Sequence, residues 1–96
     1  MRQPLRQAAR PPSLLAFPNP FTQRATIQFN LAATGKVSLA VYDLQGKLVR
    51  QLYTGQGVAG TPQRITLEAN GLSQGLYVLR LVTDHNVLTQ KLVLGK

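Results

Sequence analysis

The chain has 96 residues, 44% of them hydrophobic, with three Phe, three Tyr and no Trp, and carries a net charge of +8 from 11 Lys and Arg against 3 Asp and Glu. That length builds one small core and leaves little interior for an enclosed active site. The absence of Cys excludes a disulfide framework and any thiolate metal centre, so stability must come from packing and strand pairing.

Met1 to Pro12 is rich in Arg, Gln and Pro. Pro11-Pro12 imposes an extended path, so residues 1–12 read as a flexible basic linker or tail ahead of a domain spanning 13–96. Arg2, Arg6 and Arg10 would line one helical face, but the segment is too short to hold a helix in water. It also lacks the apolar stretch of roughly 7–15 residues that a signal peptide needs. No apolar run anywhere approaches the roughly 20 residues required to cross a bilayer as a helix.

From Ser13 onward the apolar period is two, the signature of strands that bury alternate residues. Leu15 and Phe17 are expected to begin this pattern. Ala25 to Leu31 follows, with Ile27, Phe29 and Leu31 on one face and Thr26, Gln28 and Asn30 on the other. Lys36 to Leu44 turns Val37, Leu39 and Val41 inward. Asp43-Leu44-Gln45-Gly46 then supplies a tight turn, with Gly46 free to adopt positive φ and Asp43 placed to cap the turn through backbone N–H groups. Leu48 to Tyr53 is the returning strand; its apolar residues fall on both faces, as expected at a bulge.

Thr54 to Pro62, with Gly55, Gly57 and Gly60, reads as a flexible connection suited to a crossover between two sheets. Arg64 to Ala69 alternates through Ile65 and Leu67, and Asn70-Gly71 turns the chain. Ser73-Gln74-Gly75 releases it into Leu76 to Thr83, whose inward face is Tyr77, Leu79 and Leu81. Thr83 to Asn86 forms a hairpin turn into Val87 to Leu94, which ends at Gly95-Lys96. No segment shows a 3.6-residue apolar period. The pattern predicts an all-β fold, a single immunoglobulin-like antiparallel β-sandwich of about seven strands, ordered almost to Lys96.

Chemistry is sparse. The one His, His85, falls in a turn without a thiol or carboxylate set at metal-ligand spacing, so neither a metal nor a cofactor is expected. Asp43, Glu68 and Asp84 are far apart in sequence, whereas a paired-carboxylate hydrolase needs two acids converging in a cleft. Ser13, Ser38 and Ser73 lack a nucleophile-elbow context, and no Gly-rich phosphate loop opens a helix. Catalysis is therefore not expected. The positive charge makes polyanions the first partners to weigh, but Arg24, Lys36, Lys47, Arg50, Arg64, Arg80, Lys91 and Lys96 are scattered one per strand or turn without interleaved aromatics. This distribution argues against specific nucleic-acid binding and leaves a weak contact with anionic lipid or lipopolysaccharide.

Three groups of residues carry a resemblance: Phe17-Pro18-Asn19-Pro20-Phe21; Thr26-Ile27-Gln28-Phe29; and Val41-Tyr42-Asp43-Leu44-Gln45-Gly46-Lys47-Leu48-Val49. Together they resemble the C-terminal sorting domains of the type IX secretion system, of the type A group borne by secreted proteins of the Bacteroidetes. Gly71-Leu72-Ser73-Gln74-Gly75-Leu76-Tyr77 resembles that family's Gly-x-Tyr strand start, and Lys91-Leu92-Val93-Leu94-Gly95-Lys96 its Lys-rich end. The likeness runs in consistent order over residues 14 to 96.

The resemblance implies that an N-terminal cargo domain reaches the periplasm by a separate signal peptide and is recognised at the outer membrane through this domain. A translocon, a shuttle protein and a cell-surface sortase are the implied partners. The sortase would cleave in the preceding linker and could join the cargo to anionic lipopolysaccharide, leaving it at the cell surface or outside the cell. Translocon recognition is expected of Lys91, Leu92, Val93, Lys96, Gly75 and Tyr77, while Pro18, Asn19, Pro20, Asp43 and Gly46 form the structural motif.

Each of these residues also has a purely structural role open to it. Pro18 and Pro20 can end the first strand and blunt an edge, and Gly75 can provide the turn before a core Tyr77. Two features depart from the family: no cargo module is present, so the chain reads either as a piece of a larger protein, with Met1 then artificial, or as a very short reading frame, and the basic balance is unusual. The other class of reading is an immunoglobulin-like binding or structural module, adhesive, carbohydrate-binding or akin to the flagellar hook-capping β-domain, which carries similar Pro-Asn-Pro and Tyr-Asp-x-x-Gly motifs. A sorting domain must form the extreme C-terminus, and the sequence stops directly after Lys96. A carbohydrate binder needs an exposed aromatic platform, which six mostly inward aromatics do not provide.

Overall fold

The computed structural model describes residues 11–95 and contains seven strands: β1 (Ser13–Phe17), β2 (Arg24–Asn30), β3 (Gly35–Tyr42), β4 (Leu48–Gly57), β5 (Gln63–Glu68), β6 (Gly75–Thr83) and β7 (Val87–Leu94). The expectations for residues 1–10 and Lys96 lie outside the described residues. The strands form two antiparallel sheets, a three-stranded one in the order β1-β2-β5 and a four-stranded one in the order β4-β3-β6-β7. Their inner faces share one core, led by Phe21, Ile27, Phe29, Leu39, Leu79 and Leu92, all at most 1% exposed. This is the immunoglobulin-like sandwich that the period-two pattern predicts.

Alternation is cleanest where one parity is wholly apolar. In β2, Ala25, Ile27 and Phe29 are buried and the residues between them are not; in β6, Tyr77, Leu79 and Leu81 behave the same way. The chain leaves the four-stranded sheet after Gly57 and enters the three-stranded one at Gln63, so the crossover between sheets occupies residues 58–62.

Two expectations are corrected. In β1 the core side is Leu14 and Ala16, whereas Leu15 and Phe17 are 49% and 40% exposed. Pairing with β2 sets Leu14 opposite Phe29 and Ala16 opposite Ile27, so the buried parity of β2 dictates that of β1. The Leu-Leu-Ala-Phe sequence offers an apolar residue at either parity and does not decide between them.

The Gly-rich stretch after Tyr53 is also not wholly a loop, because Thr54–Gly57 continues β4 opposite Gly35–Ser38. Gly57 is buried there, and a methyl group in its place would run into Leu31 Cδ1. Glycine lets two strands close over the Leu31 side chain. Earlier in β4 the register slips twice, leaving Leu52 and Val49 as extra residues between paired positions. These bulges account for the apolar residues on both faces of the strand. Gln51 Nε2 donates to the Leu39 carbonyl at 3.2 Å and the Tyr53 carbonyl at 3.0 Å, satisfying acceptors at the irregular step.

Candidate recognition site

The first segment of the chain is divided between the two sheets. β1 pairs with β2, and Pro18-Asn19-Pro20 then carries the backbone across to the edge of β7, where Phe21 bridges Leu94 in parallel before the chain returns as β2. The Phe17–Pro18 and Asn19–Pro20 peptide bonds are both cis. Neither proline has an N–H to offer, so the backbone cannot form a regular ladder through this step. The Asn19 side chain takes over: Nδ2 donates to the Lys91 carbonyl at 2.8 Å, and Oδ1 accepts from the Val93 N–H at 3.0 Å. Phe21 continues the ladder, its N–H donating to the Val93 carbonyl at 2.9 Å and its carbonyl accepting from the Gly95 N–H at 2.8 Å.

These contacts lie on the outer edge of β7. β6 pairs with one edge of β7, and the Lys91 carbonyl, the Val93 N–H and carbonyl and the Gly95 N–H are turned to the other edge, where they bond to Asn19 and Phe21. All four are satisfied in succession. Two sequence segments some seventy residues apart therefore make one joint, with the Phe21 ring sealing it from the inside at 1% exposed.

The other side of the sandwich is closed by a different device. From β4, Arg50 Nη1 donates to the Glu68 carbonyl at 2.6 Å and Nη2 to the Asn70 carbonyl at 2.5 Å, tying the end of β5 to the four-stranded sheet. A guanidinium fork matches two carbonyls that a single ammonium could not span as well. Neither this role nor the inward anchoring of Phe21 is visible in the alternation pattern, because both depend on which strands become edges.

The anticipated recognition residues separate by burial. Lys91 is exposed and Val93 half-buried, and both lie on the outer face of the four-stranded sheet. Leu92 is 0% exposed and Tyr77 7% exposed, so their side chains belong to the core and are withheld from any partner of the folded domain. Tyr77 Oη donates to the Ser73 carbonyl at 2.5 Å. Gly75 is exposed with φ 146°, a conformation that side-chain-bearing residues rarely adopt, and it starts β6 opposite Leu94.

Asp43 and Gly46 build the β3–β4 turn. Asp43 Oδ1 accepts from the Gln45 and Lys47 N–H groups, both at 2.9 Å, and Gly46 adopts φ 83°. Through the pairs Tyr42–Val78 and Val78–Lys91, this turn stands at the same end of the sheet as the Asn19 joint.

Among the described residues, no group of three or more His, Cys, Asp or Glu side chains is placed to hold a metal ion, and no helix is long and apolar enough to cross a membrane. The ion pair found there is Arg24–Glu68 at 3.5 Å, an exposed contact of small energetic weight.

These features define a small antiparallel β-sandwich whose Pro-Asn-Pro segment and final strand interlock at one sheet edge. The chain belongs to the family of secretion system C-terminal sorting domains, whose family model matches residues 15–95. No curated protein sequence matches it. Among solved structures it resembles dimeric latent PorU from Porphyromonas gingivalis, with a TM-score of 0.68 at 20% identity over 86% of this chain. The match spans 9% of that chain, and at this identity it establishes likeness of fold.

Proposed function

We propose that this domain is a type IX secretion signal: an attached N-terminal cargo is carried across the outer membrane because the secretion machinery recognises the folded sandwich. The observation that carries the reading is the family match over residues 15–95, nearly the whole described domain. The interlock of Asn19 and Phe21 with Lys91–Gly95 supports it, since both ends of the motif set contribute to one compact structure.

On this reading the domain serves as an address and performs no chemistry. A translocon and its shuttle protein bind it, and a sortase cleaves in the linker of residues 1–12 or upstream of it. The cargo then stays on lipopolysaccharide at the cell surface or is released. Lys91 and Val93, on the outer face of β7, are the side chains offered to the machinery, with Gly75 opposite Leu94 and with Lys96, which lies outside the described residues, as the further cation of the motif; Leu92 and Tyr77 act indirectly by fixing the last strand.

The test is to fuse residues 1–96 to the C-terminus of a periplasmically targeted reporter in a bacterium with a type IX system and to measure the mass of the reporter that reaches the surface. The expected product lacks the sandwich and ends within or before the linker. Intact fusion at the surface would overturn the cleavage step.

A further inference from the structure

The two outer faces of the sandwich differ in character. On the three-stranded sheet the outward residues of β2 are Thr26, Gln28 and Asn30, flanked on one side by Arg64, Thr66 and Glu68 of β5 and on the other by Leu15 and Phe17 of the edge strand β1, so its apolar residues are confined to one edge. There Arg24 faces Glu68, and Arg64 Nε donates to Gln28 Oε1 at 2.8 Å, so both cations have partners. On the four-stranded sheet the outward residues of β6 and β7 pair as Leu76–Val93, Val78–Lys91, Arg80–Thr89 and Val82–Val87. Leu76 is 42% exposed and Val87 57% exposed. An antiparallel sheet face turned to water ordinarily alternates to polar residues, and this one does not.

Two cations stand within this apolar surface. Arg80 and Lys91 are diagonal neighbours across β6 and β7, both exposed and neither paired with a carboxylate among the described residues. The Arg80 guanidinium lies 5.9 Å from the Tyr42 ring centroid, which holds it over the sheet. Beside it the β3–β4 turn raises Leu44, 64% exposed, to form one wall of an open groove of about 250 Å³ that also touches Tyr42, Val78 and Arg80. Asp43 borders the groove, but its Oδ1 is occupied by the turn amides.

We propose that the outer face of β6 and β7, with the Leu44 groove, is the docking surface for a protein partner presenting an apolar side chain flanked by carboxylates. This rests on the sorting-signal reading and deepens it by naming the face the secretion machinery uses and the chemistry it must supply. The groove accepts the apolar side chain, and Arg80 and Lys91 meet the acids. A fixed guanidinium beside an apolar groove suits a carboxylate bidentately. A lipid surface would be served better by cations ringing an apolar tip than by cations set among valines on a flat sheet.

The test compares two double charge reversals in the reporter fusion, each lowering the net charge by the same amount: R80E/K91E on this face and R24E/R64E on the opposite one. Circular dichroism and thermal melting of the purified domains establish that each variant folds. The expected result is a fall of at least tenfold in surface reporter for R80E/K91E, with folded fusion accumulating in the periplasm, and display near the parent level for R24E/R64E. Loss by L44S/L76S would support the pairing of charge with an apolar contact, and display by L44S/L76S at the parent level would remove the groove from the proposal.

Equal display by both reversals, or an equal fall in both, would overturn the proposal. Failure of the parent fusion to depend on the translocon would instead remove the sorting reading beneath it. Sedimentation of the purified chain with phosphatidylglycerol vesicles, lost in R80E/K91E but kept in R24E/R64E, would assign the face to lipid and overturn the protein partner.

Discussion

Asn19 acts towards Val93 as a strand residue would, although it uses its side chain: its carboxamide accepts the Val93 N–H at 3.0 Å while donating to the carbonyl of Lys91 at 2.8 Å. Replacing Asn19 by Ala should cost about 1–2 kcal/mol, the sum of two partly exposed hydrogen bonds. Amide hydrogen exchange should speed up selectively at Val93. Asn19→Asp keeps the acceptor but sets a carboxylate against the Lys91 carbonyl, so at neutral pH it should restore none of that stability. Unchanged exchange at Val93 in Asn19→Ala would show that the joint does not hold the strand.

Phe21 fills the core beneath the same joint, and its backbone bonds to Val93 and Gly95 keep it there. Phe21→Ala should lower stability by about 3–5 kcal/mol, the range for deleting a fully buried aromatic ring. In a 96-residue domain, whose folding free energy is about 5–14 kcal/mol, this loss takes a large share of the total. Urea denaturation should therefore find the midpoint of the variant far below that of the parent; a cooperative transition near the parent midpoint would contradict the packing described.

Arg50 offers a sharper chemical test because its two carbonyl partners need a forked donor. Arg50→Ala and Arg50→Lys should both destabilise by about 1–2 kcal/mol, with Lys recovering less than half of the loss. Thermal melting of the three proteins at matched ionic strength measures this. Full recovery by Lys would mean that charge, rather than the fork, holds β5 to β4.

Gly57 is constrained by space alone. A Cβ there meets Leu31 Cδ1 and lies 3.3 Å from Val37 Cγ1, and both neighbours are core residues. Gly57→Ala should cost about 1–3 kcal/mol through overpacking. Gly60→Ala, where a Cβ meets nothing within 4 Å but φ is 83°, should cost about 1 kcal/mol through backbone strain alone. Chemical denaturation of the pair separates the two causes, and a smaller loss at Gly57 would reverse the assignment.

β2 was legible because its parity is chemically one-sided: Ala25, Ile27 and Phe29 alternate with Thr26, Gln28 and Asn30, which leaves no second way to face a core, and Asp43 to Gly46 spells its own turn. In β3 and β6 the large residues Leu39, Val41, Tyr77, Leu79 and Leu81 mark the inner face although Ala40, Leu76, Val78 and Val82 make the other parity partly apolar. β1 was not legible, since Leu14 and Leu15 are equivalent until β2 is beside them. The far end of β4 was hidden because Gly55 and Gly57 signal a loop locally, while strand pairing and the closeness of Leu31 select them for a ladder.

The candidate site shows the same division. The residues of the Pro-Asn-Pro and Lys-Leu-Val-Leu segments could be named from the sequence. That Asn19 would bond to the backbone of the final strand depends on a contact across more than seventy residues, which no local pattern encodes. Leu92 fits both a recognition motif and a core alternation, and its burial places it in the second.

The measurement that bears most directly on the central claim is surface display of a reporter fused to this chain in a type IX bacterium and in its translocon-deficient derivative. The account predicts reporter at the surface of the first strain and folded fusion held in the periplasm of the second. Equal periplasmic retention in both would contradict it and leave the sandwich as a binding module.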